Sequence, residues 1–148
     1  TTGQTGIIGS GCVIYPCTLG GLSVKNQARH PTVGDFVQIS TDVGIFGRVD
    51  VGNYSVIGAN TEIYGLIQVG REVRIGSSVV IGTVKPGATD NRSDPQPGSI
   101  HIGDQVRIGD GAVIENSVSS DLIIPHNSTI PTRSYVINDG EGNPKFVS

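Results

Sequence analysis

Nine apolar residues recur at every sixth position without a miss, and this spacing restricts the fold more than any other feature of the chain. The series comprises Val33, Ile39, Ile45, Val51, Ile57, Ile63, Val69, Ile75 and Ile81. Six residues make about 1.7 turns of an α-helix, so a helix could not keep these side chains on one face. Short strands separated by sharp turns do fit, because six is a multiple of the two-residue period of a strand. The spacing therefore predicts a solenoid, in which each unit buries its apolar edge by stacking on its neighbours.

A secondary series lies four residues after this primary series and contains only small or β-branched side chains. Its members are Val37, Val43, Val49, Ser55, Thr61, Ile67, Val73 and Val79. Glycine follows the primary residue at positions 34, 52, 58, 70, 76 and 82. We interpret ten recurring glycines as tight turns with positive φ and not as a phosphate-binding loop; they lie at positions 9, 11, 44, 52, 58, 70, 76, 82, 103 and 109.

The primary series also divides the chain into segments. It begins as Ile7, Val13 and Leu19, resumes after Ile81 as Ile102, Ile108 and Ile114, slips at Ser120, and returns as Ile124, Ile130 and Val136. Polar segments rich in Gly or Pro interrupt it at about 20–32 and 83–99, and these are predicted to be loops that leave the solenoid. We predict an all-β, parallel β-helix domain over residues 1–137, with about seven coils, and a C-terminal tail or cap over 138–148.

Composition narrows the possible partners and the compartment. The net charge of −3 at pH 7 argues against nucleic acid, and no apolar run is long enough to cross a membrane. Cys12 and Cys17 are predicted to be packing residues in a reducing compartment, which indicates a cytoplasmic protein. The chain has no Met, so we expect it to be an excised domain, a processed form or an engineered piece of a longer protein.

Residues around the first loop carry a more specific signal. Thr18-Leu19-Gly20-Gly21 is followed, after a loop that ends in Arg29, by His30-Pro31-Thr32-Val33-Gly34. This arrangement resembles the serine O-acetyltransferase branch of the hexapeptide-repeat acyltransferases. The resemblance implies a left-handed parallel β-helix and a homotrimer with active sites between neighbouring subunits. It also implies transfer of acetyl from acetyl-CoA to a hydroxyl or amine of a small acceptor, such as serine or a sugar.

The same resemblance assigns roles to individual residues and expects no metal ion. His30 is implied as the catalytic or substrate-binding base, while Arg29 and Gly21 border the acceptor pocket. The residues expected near the path of CoA are Gly20, Thr41 and Ala59.

Two departures from that family keep a second interpretation open. If Thr5-Gly6 is aligned with the Thr-Gly of the family's catalytic stretch, Gly3 stands where that family has its principal catalytic His; if the repeat register is kept without gaps, that His would fall before Thr1. In addition, Ser40-Thr41-Asp42 replaces a Gly-Ala-Gly segment along the expected CoA channel. An anion at Asp42 would repel phosphates, so this side chain either faces away or marks a different ligand. The alternative is a non-catalytic β-helix that serves as a trimerisation or ligand-binding scaffold. An ice-binding solenoid fits less well, because the Thr residues are irregularly spaced.

The remaining charged residues favour ordinary surface roles. His101 and His126 are interpreted as surface side chains, and their spacing from His30 does not suit a zinc site of the γ-carbonic anhydrase kind. The carboxylates Asp35, Asp50, Asp104 and Asp110 are expected to supply turn hydrogen bonds and solubility. Scattered basic residues favour a solvated surface, although several aligned on one face could bind the 3′-phosphate of CoA. They are Arg48, Arg71, Arg74, Lys85 and Arg107.

Overall fold

A computed structural model describes residues 7–20, 31–83 and 98–147, which form strands and turns with no helix among them. Most strands are only two to four residues long, as expected for a chain that turns every six residues. In chain order they are β1 (Ile7–Ile8), β2 (Val13–Ile14), β3 (Thr18–Gly20), β4 (Thr32–Val33), β5 (Gln38–Ile39), β6 (Gly44–Val51), β7 (Val56–Ile57), β8 (Glu62–Val69), β9 (Arg74–Ile75), β10 (Val80–Gly82), β11 (Ile100–Ile102), β12 (Arg107–Ile108), β13 (Val113–Glu115), β14 (Leu122–Ile124), β15 (Thr129–Ile130), β16 (Tyr135–Asn138) and β17 (Pro144–Val147).

These strands form the three faces of a prism. Face B is a six-stranded sheet in the order β15-β12-β9-β7-β5-β2. The other strands form one sheet that bends around a corner, because the long strands β6 and β8 each run from face C onto face A. Face C contains β3, β10, β13, β16 and β17 with the first halves of β6 and β8, and face A contains β1, β4, β11 and β14 with their second halves. Every pairing is parallel except that of β16 with β17.

The register of the pairs defines the repeat. Ile39 pairs with Ile57 and Ile57 with Ile75, so an uninterrupted coil has 18 residues. The primary series consequently stacks in three columns of six residues. They are Ile8, Val33, Val51, Val69, Ile102 and Ile124 on face A; Ile14, Ile39, Ile57, Ile75, Ile108 and Ile130 on face B; and Leu19, Ile45, Ile63, Ile81, Ile114 and Val136 on face C. All but Ile8 and Ile14 are buried.

The prediction of a parallel β-helix is confirmed, but the predicted count of about seven coils was wrong. The chain makes about five full turns, from Ile8 to Ile124. Insertions lengthen three of these turns without adding new ones. Val33 pairs with Ile8, Ile102 with Val69 and Ile124 with Ile102, which are steps of 25, 33 and 22 residues.

The register of the first coil also differs from the prediction. Ile7 and Val13 were expected inside, yet they are 64% and 50% exposed. Ile8 and Ile14 pack against the core in their place and pair with Val33 and Ile39. A shift of one residue exchanges the two sides of a strand, so the two assignments are mutually exclusive. Leu19 does lie in the core, paired with Ile45.

The glycines that follow the primary residues have a different role from the one predicted. Of the ten glycines predicted to have a positive φ, only Gly11 has one (72°), and the other nine do not. The left-handed backbone conformation is adopted two residues later, by residues such as Asn60 (φ 61°) and Ser78 (φ 58°). A Cβ at Gly58 would lie 2.5 Å from the carbonyl carbon of Gly76. Glycine is therefore needed here because the backbones of adjacent coils approach closely, and not for its freedom in φ.

Two polar members of the secondary series are fully buried and satisfy the backbone at the turns. The hydroxyl of Thr61 donates to the carbonyl of Gly76 at 2.7 Å and accepts from the amide of Val79 at 3.2 Å. The hydroxyl of Ser55 makes the equivalent pair of bonds with Gly70 and Val73. These hydroxyls cost little to bury because each has both a donor and an acceptor as partner.

Four Asp residues were predicted to supply turn hydrogen bonds, and three of them do so at the corners, where they join consecutive coils. Asp35, Asp104 and Asp110 each accept a hydrogen bond from a backbone amide in the preceding coil, those of Ser10, Arg71 and Ser77. Asp50 lies instead in strand β6, on face A.

The close stacking at Gly58 can be tested by adding a single methyl group. We expect Gly58→Ala to lower the free energy of unfolding by about 1–3 kcal/mol, because the new Cβ forces two coils apart. The matched control is Ser40→Ala, at the same repeat position one coil earlier, where a Cβ is already accommodated. Urea unfolding followed by circular dichroism, at one fixed protein concentration, measures both. Equal stability of the two variants would contradict this interpretation of the glycine.

Candidate functional site

The insertions in the solenoid all lie at one corner of the prism, where face C gives way to face A; we call it corner CA. The first leaves after Gly20 and returns at Pro31, and the second lies between Thr83 and Gly98. The additional residues of the next coil follow β13, and the C-terminal tail turns back after β16. Insertions gathered on one side of a solenoid commonly form its binding surface. Corner CA is therefore a candidate functional site.

A buried polar cluster fixes the backbone at this corner. Asn116 donates from its side-chain nitrogen to the carbonyls of Ser99 at 3.0 Å and Ser120 at 2.8 Å. Asn138 donates to the side-chain oxygen of Asn116 at 3.2 Å and accepts from the amides of Gly140 and Gly142. Because these amide groups are satisfied, the cluster holds the insertion after β13 and the tail in place.

The structure describes only part of the motif on which the sequence interpretation rests. Gly21, Arg29 and His30 lie outside the described residues, so their roles stay predictions. Thr18–Gly20 forms β3 and pairs with the start of β6, which places Gly20 on face C opposite Phe46.

Thr41 and Ala59 lie together, at the corner between faces B and C, which we call corner BC. They occupy equivalent positions in adjacent coils, and the amide of Asn60 donates to the carbonyl of Thr41 at 3.1 Å. The three residues expected along the CoA path are therefore divided between two places. Thr41 and Ala59 share one corner, whereas Gly20 lies further along face C.

A surface groove of about 420 Å³ runs beside corner BC. It is lined by Pro16, Cys17, Thr18, Asp42, Val43, Gly44, Phe46 and Glu62. Asp42 lines this groove in the left-handed conformation, with φ 58°, and Glu62 adds a second carboxylate. Two carboxylates make this groove unfavourable for phosphate groups.

Both cysteines are reduced and pack against the core. The sulfur of Cys12 lies 3.1 Å from the carbonyl oxygen of Gly34. Burial raises the pKa of the Cys17 thiol, which disfavours the reactive thiolate. Their environment therefore agrees with the predicted packing role.

Two of the scattered basic residues do align. Arg74 on β9 pairs with Arg107 on β12, so their side chains project side by side from face B. They border a shallow groove of about 280 Å³, whose other lining residues are Ile75, Gly76, Ile108, Gly109, Thr129, Ile130, Pro131 and Thr132. Neither arginine forms an ion pair within the described part of the chain, where the two ion pairs involve histidines. Two unpaired guanidinium groups in one groove suit an anionic ligand.

His126 and His101 occupy different settings. His126 is exposed, and its Nδ1 accepts the amide of Asp104 at 2.7 Å, so it acts as a turn cap between coils. His101 lies on β11 of face A with its Nε2 2.8 Å from the hydroxyl of Ser99. The carboxylate of Asp121 lies 3.9 Å from the same nitrogen. The sequence interpretation missed this cluster, although the Ser-x-His spacing along an extended segment places both side chains on one side.

Glu115 connects two tyrosines on face C. The hydroxyl of Tyr135 donates to its carboxylate at 2.7 Å, and this hydrogen bond and the negative charge raise the pKa of Tyr135. Burial raises the pKa of Tyr64, with further contributions from Glu115 and Glu62. The ring of Tyr64 occupies the space that a side chain at Gly82 would need, so the ring lies against the face.

Removing the charge of Glu115 should lower both tyrosine pKa values. We expect Glu115→Gln to shift tyrosinate formation to lower pH, more for Tyr135, since Tyr135 loses a charge-assisted hydrogen bond as well. Absorbance at 295 nm during an alkaline titration measures this shift. Repeating the comparison in a Tyr135→Phe background isolates the contribution of Tyr64. A titration curve that Glu115→Gln leaves unmoved would contradict the assignment.

Within the described ranges, no three side chains of His, Cys, Asp or Glu come together to hold a metal ion. The zinc interpretation also requires His30, which lies outside those ranges. The same described residues contain no helix that is long and apolar enough to cross a membrane.

Comparison with known proteins gives structural similarity only. No protein-family model matches the chain, and no curated protein matches it either. Among solved structures, a proposed acetyltransferase of Bacillus cereus is 16% identical, with a TM-score of 0.41, 88% of this chain covered and 82% of the other. A hexapeptide transferase family protein from Anaplasma phagocytophilum is 15% identical, with a TM-score of 0.35 and coverage of 96% and 82%. The polySia-specific acetyltransferase NeuO is 16% identical, with a TM-score of 0.46 and coverage of 97% and 85%. The fold described above rests on the strand pairing, and no residue role is taken from these proteins.

Proposed function

We propose that this chain is an acetyl-CoA-dependent acetyltransferase that acts on a hydroxyl or amine of a small acceptor, such as serine or a sugar. The observation that carries the proposal is the Thr18–Gly21 and Arg29–Val33 motif, placed where the first insertion leaves and rejoins the solenoid. The motif resembles the serine acetyltransferase branch of the hexapeptide-repeat proteins. Its flanks, β3 and β4, lie on faces C and A, so the motif spans corner CA.

The proposed reaction is a direct transfer. The acceptor oxygen or nitrogen attacks the thioester carbonyl and forms a bond to its carbon, a base takes the acceptor proton, and the carbon–sulfur bond breaks to release CoA. His30 is the residue of the motif that can bind the acceptor or take this proton. Arg29 and Gly21 border the same loop and restrict the acceptor to a small molecule.

The groove bordered by Arg74 and Arg107 is the surface best suited to bind the phosphates of CoA. Their groove extends to Thr132, which belongs to the same corner column as Thr41 and Ala59. A CoA molecule that placed its phosphates on face B could therefore direct its pantetheine arm along corner BC, past the small side chain of Ala59. This orientation also keeps the phosphates away from the carboxylates of Asp42 and Glu62.

We further propose a cytoplasmic homotrimer. Face C carries outward-facing apolar side chains in successive coils, including Tyr64, Val80 and Val113, and these are half-buried within one chain. Pairing such faces around an axis of symmetry would bury them further. A shared site would then form where the loop of one subunit meets its neighbour.

The test measures binding and turnover separately. We expect the protein to bind CoA in calorimetry and to release thiol from acetyl-CoA with at least one member of a panel of serine, sugars and amines. His30→Gln should lower kcat/KM at least tenfold without changing the oligomeric state. A protein-only blank corrects the thiol assay for Cys12 and Cys17. Absence of both CoA binding and thiol release would reject the acetyltransferase function and favour the non-catalytic scaffold. The acidic groove at Asp42 and Glu62 is a further observation that favours the scaffold.

The arginine groove has its own comparison. We expect the double change Arg74→Ala and Arg107→Ala to weaken CoA binding by about tenfold or more, since two charge-assisted hydrogen bonds are lost. Binding of 3′-dephospho-CoA should fall less if the 3′-phosphate is the group they contact. Arg48→Ala, on face A, is the matched control and should leave the affinity unchanged. An equal affinity of the double variant and the parent protein would place the phosphates elsewhere.

A further inference from the structure

The groove beside corner BC lies one short strand away from the point where the loop of the motif leaves the solenoid. Thr18, the first residue of β3, lines the groove, and the loop leaves after Gly20 at the other end of this strand. Two residues of a strand span about 6.6 Å, so a small molecule in the groove can reach the loop. The volume of about 420 Å³ is typical of a site for a small molecule.

Two carboxylates determine the charge of this groove. Asp42 and Glu62 both line it, and none of the described residues that line it is a lysine or an arginine. Neither carboxylate forms an ion pair in the part of the chain that the structure describes, where both ion pairs involve histidines. The backbone of Asp42 is fixed, because its amide donates to the carbonyl of Pro16 at 2.9 Å. Two carboxylates that no cation of the described chain neutralises attract a cation from solution.

Phe46 supplies an apolar wall between the groove and the loop. It lines the groove and lies opposite Gly20 in the pairing of β6 with β3. A Cβ at Gly44 would lie 2.7 Å from the ring, and a Cβ at Gly20 would lie 3.3 Å from it, so the ring covers the face between these glycines. An aromatic ring packs against a short alkyl chain and also attracts an ammonium group. The groove therefore suits a cation whose carbon chain extends towards Gly20.

The carboxylates do not suit the group that is acetylated. An amine attacks a carbonyl carbon only as the neutral species, and nearby carboxylates raise the pKa of an ammonium group and keep it protonated. The cation held in the groove is therefore a different group from the nucleophile. A neutral sugar has no such cation, and an anionic acceptor would be repelled.

We propose that the acetyl acceptor carries an ammonium group that Asp42 and Glu62 hold, and a separate hydroxyl or amine that receives the acetyl group. Diamines, amino alcohols and amino sugars belong to this class. The proposal rests on the acetyltransferase function proposed above and specifies its acceptor. The two carboxylates determine specificity and take no part in the chemical step.

The ammonium group is unchanged by the reaction. The separate nucleophile bonds to the acetyl carbonyl carbon, its proton passes to the base, and the carbon–sulfur bond breaks. The CoA sulfur takes the electron pair of that bond and then the proton from the base. The group in the groove keeps its proton and its charge throughout.

The two grooves of opposite charge lie in different coils. Asp42 and Glu62 lie at the beginning of β6 and β8, whereas Arg74 and Arg107 lie on the later strands β9 and β12 of face B. The arginines attract the phosphates of CoA and the carboxylates attract the ammonium group, so the two substrates do not compete for one surface.

Steady-state kinetics with putrescine and butylamine, two amines of equal chain length, tests the proposal. We expect kcat/KM for putrescine to exceed that for butylamine by about tenfold or more, because only putrescine keeps a charge when its nucleophile is neutral. An amino alcohol and the diol of the same length give the same comparison for a hydroxyl. Equal kcat/KM values within both pairs, with acetyl transfer proceeding, would overturn this inference and leave the proposed function standing.

Variants of the groove assign the preference to its carboxylates. Asp42→Asn combined with Glu62→Gln should bring the ratio of the two kcat/KM values close to one and leave the affinity for CoA unchanged. Asn readily adopts the left-handed conformation, so the turn at this position is preserved. Asp50→Asn, on face A, is the matched control and should keep the parent ratio. A groove variant that also keeps the parent ratio would overturn the assignment.

The number of acetyl groups transferred is a second readout. Putrescine should be acetylated once, because the product has one amine left, which cannot be both the anchor and the nucleophile. Mass spectrometry of the completed reaction distinguishes the products. Diacetylated putrescine formed as fast as the first product would contradict the proposal.

Binding in the absence of CoA completes the test. Calorimetry should detect putrescine binding to the parent protein, and the double change at Asp42 and Glu62 should weaken it by about tenfold or more. Added salt should also weaken it, since these carboxylates are exposed. Equal affinity of parent and variant would overturn the proposal. If putrescine binds as expected but the protein neither binds CoA nor transfers acetyl, the acceptor role falls with the proposed function while the cation site stands.

Discussion

The structure depends on the stacking of aliphatic side chains in columns, each directly above its equivalent in the previous coil. Ile39, Ile57 and Ile75 pair in register, and each is almost completely removed from water. The same register aligns the backbone amides and carbonyls of successive coils, so burial and parallel hydrogen bonding reinforce each other. One short strand would bury too little surface to fold alone, and stability comes from neighbouring coils. Glycines such as Gly52 and Gly58 belong to this constraint, because a Cβ there would meet the backbone of the next coil.

The fold class could be predicted from the sequence because the stacking requires an apolar residue at every sixth position. From Val33 to Ile81 every primary residue was placed on the correct side. In the first coil Leu19 was placed correctly, but Ile7 and Val13 were not, because each is followed by a second apolar residue and periodicity alone does not choose between the two. Only the exposure of Ile7 and the pairing of Ile8 with Val33 decide the register. The predicted coil count was wrong because the sequence does not distinguish residues inserted into one turn from residues that form an additional turn.

The candidate functional surfaces were harder to predict because they join residues that are distant in sequence. Arg74 and Arg107 are paired neighbours, yet an insertion separates them along the chain by 33 residues. Asp121 reaches Ser99 across another enlarged coil. Each contact depends on where the chain re-enters the solenoid, and the periodic pattern does not report that point. The Ser99-x-His101 spacing was visible in the sequence, but the sequence did not indicate that Asp121 would lie beside these two residues.

The antiparallel strand β17 has a consequence for how molecules meet one another. A parallel solenoid ends in a strand whose free backbone groups would accept a further strand from another molecule, and repeated addition would build a fibre. On face C that strand is β16, and β17 covers it in the opposite direction. Its outer side begins with Pro144, which has no amide hydrogen, and continues with the charged side chain of Lys145. Proline and lysine are residues that edge strands use against unwanted association, so the face C edge at this end of the prism is protected against the addition of a further strand.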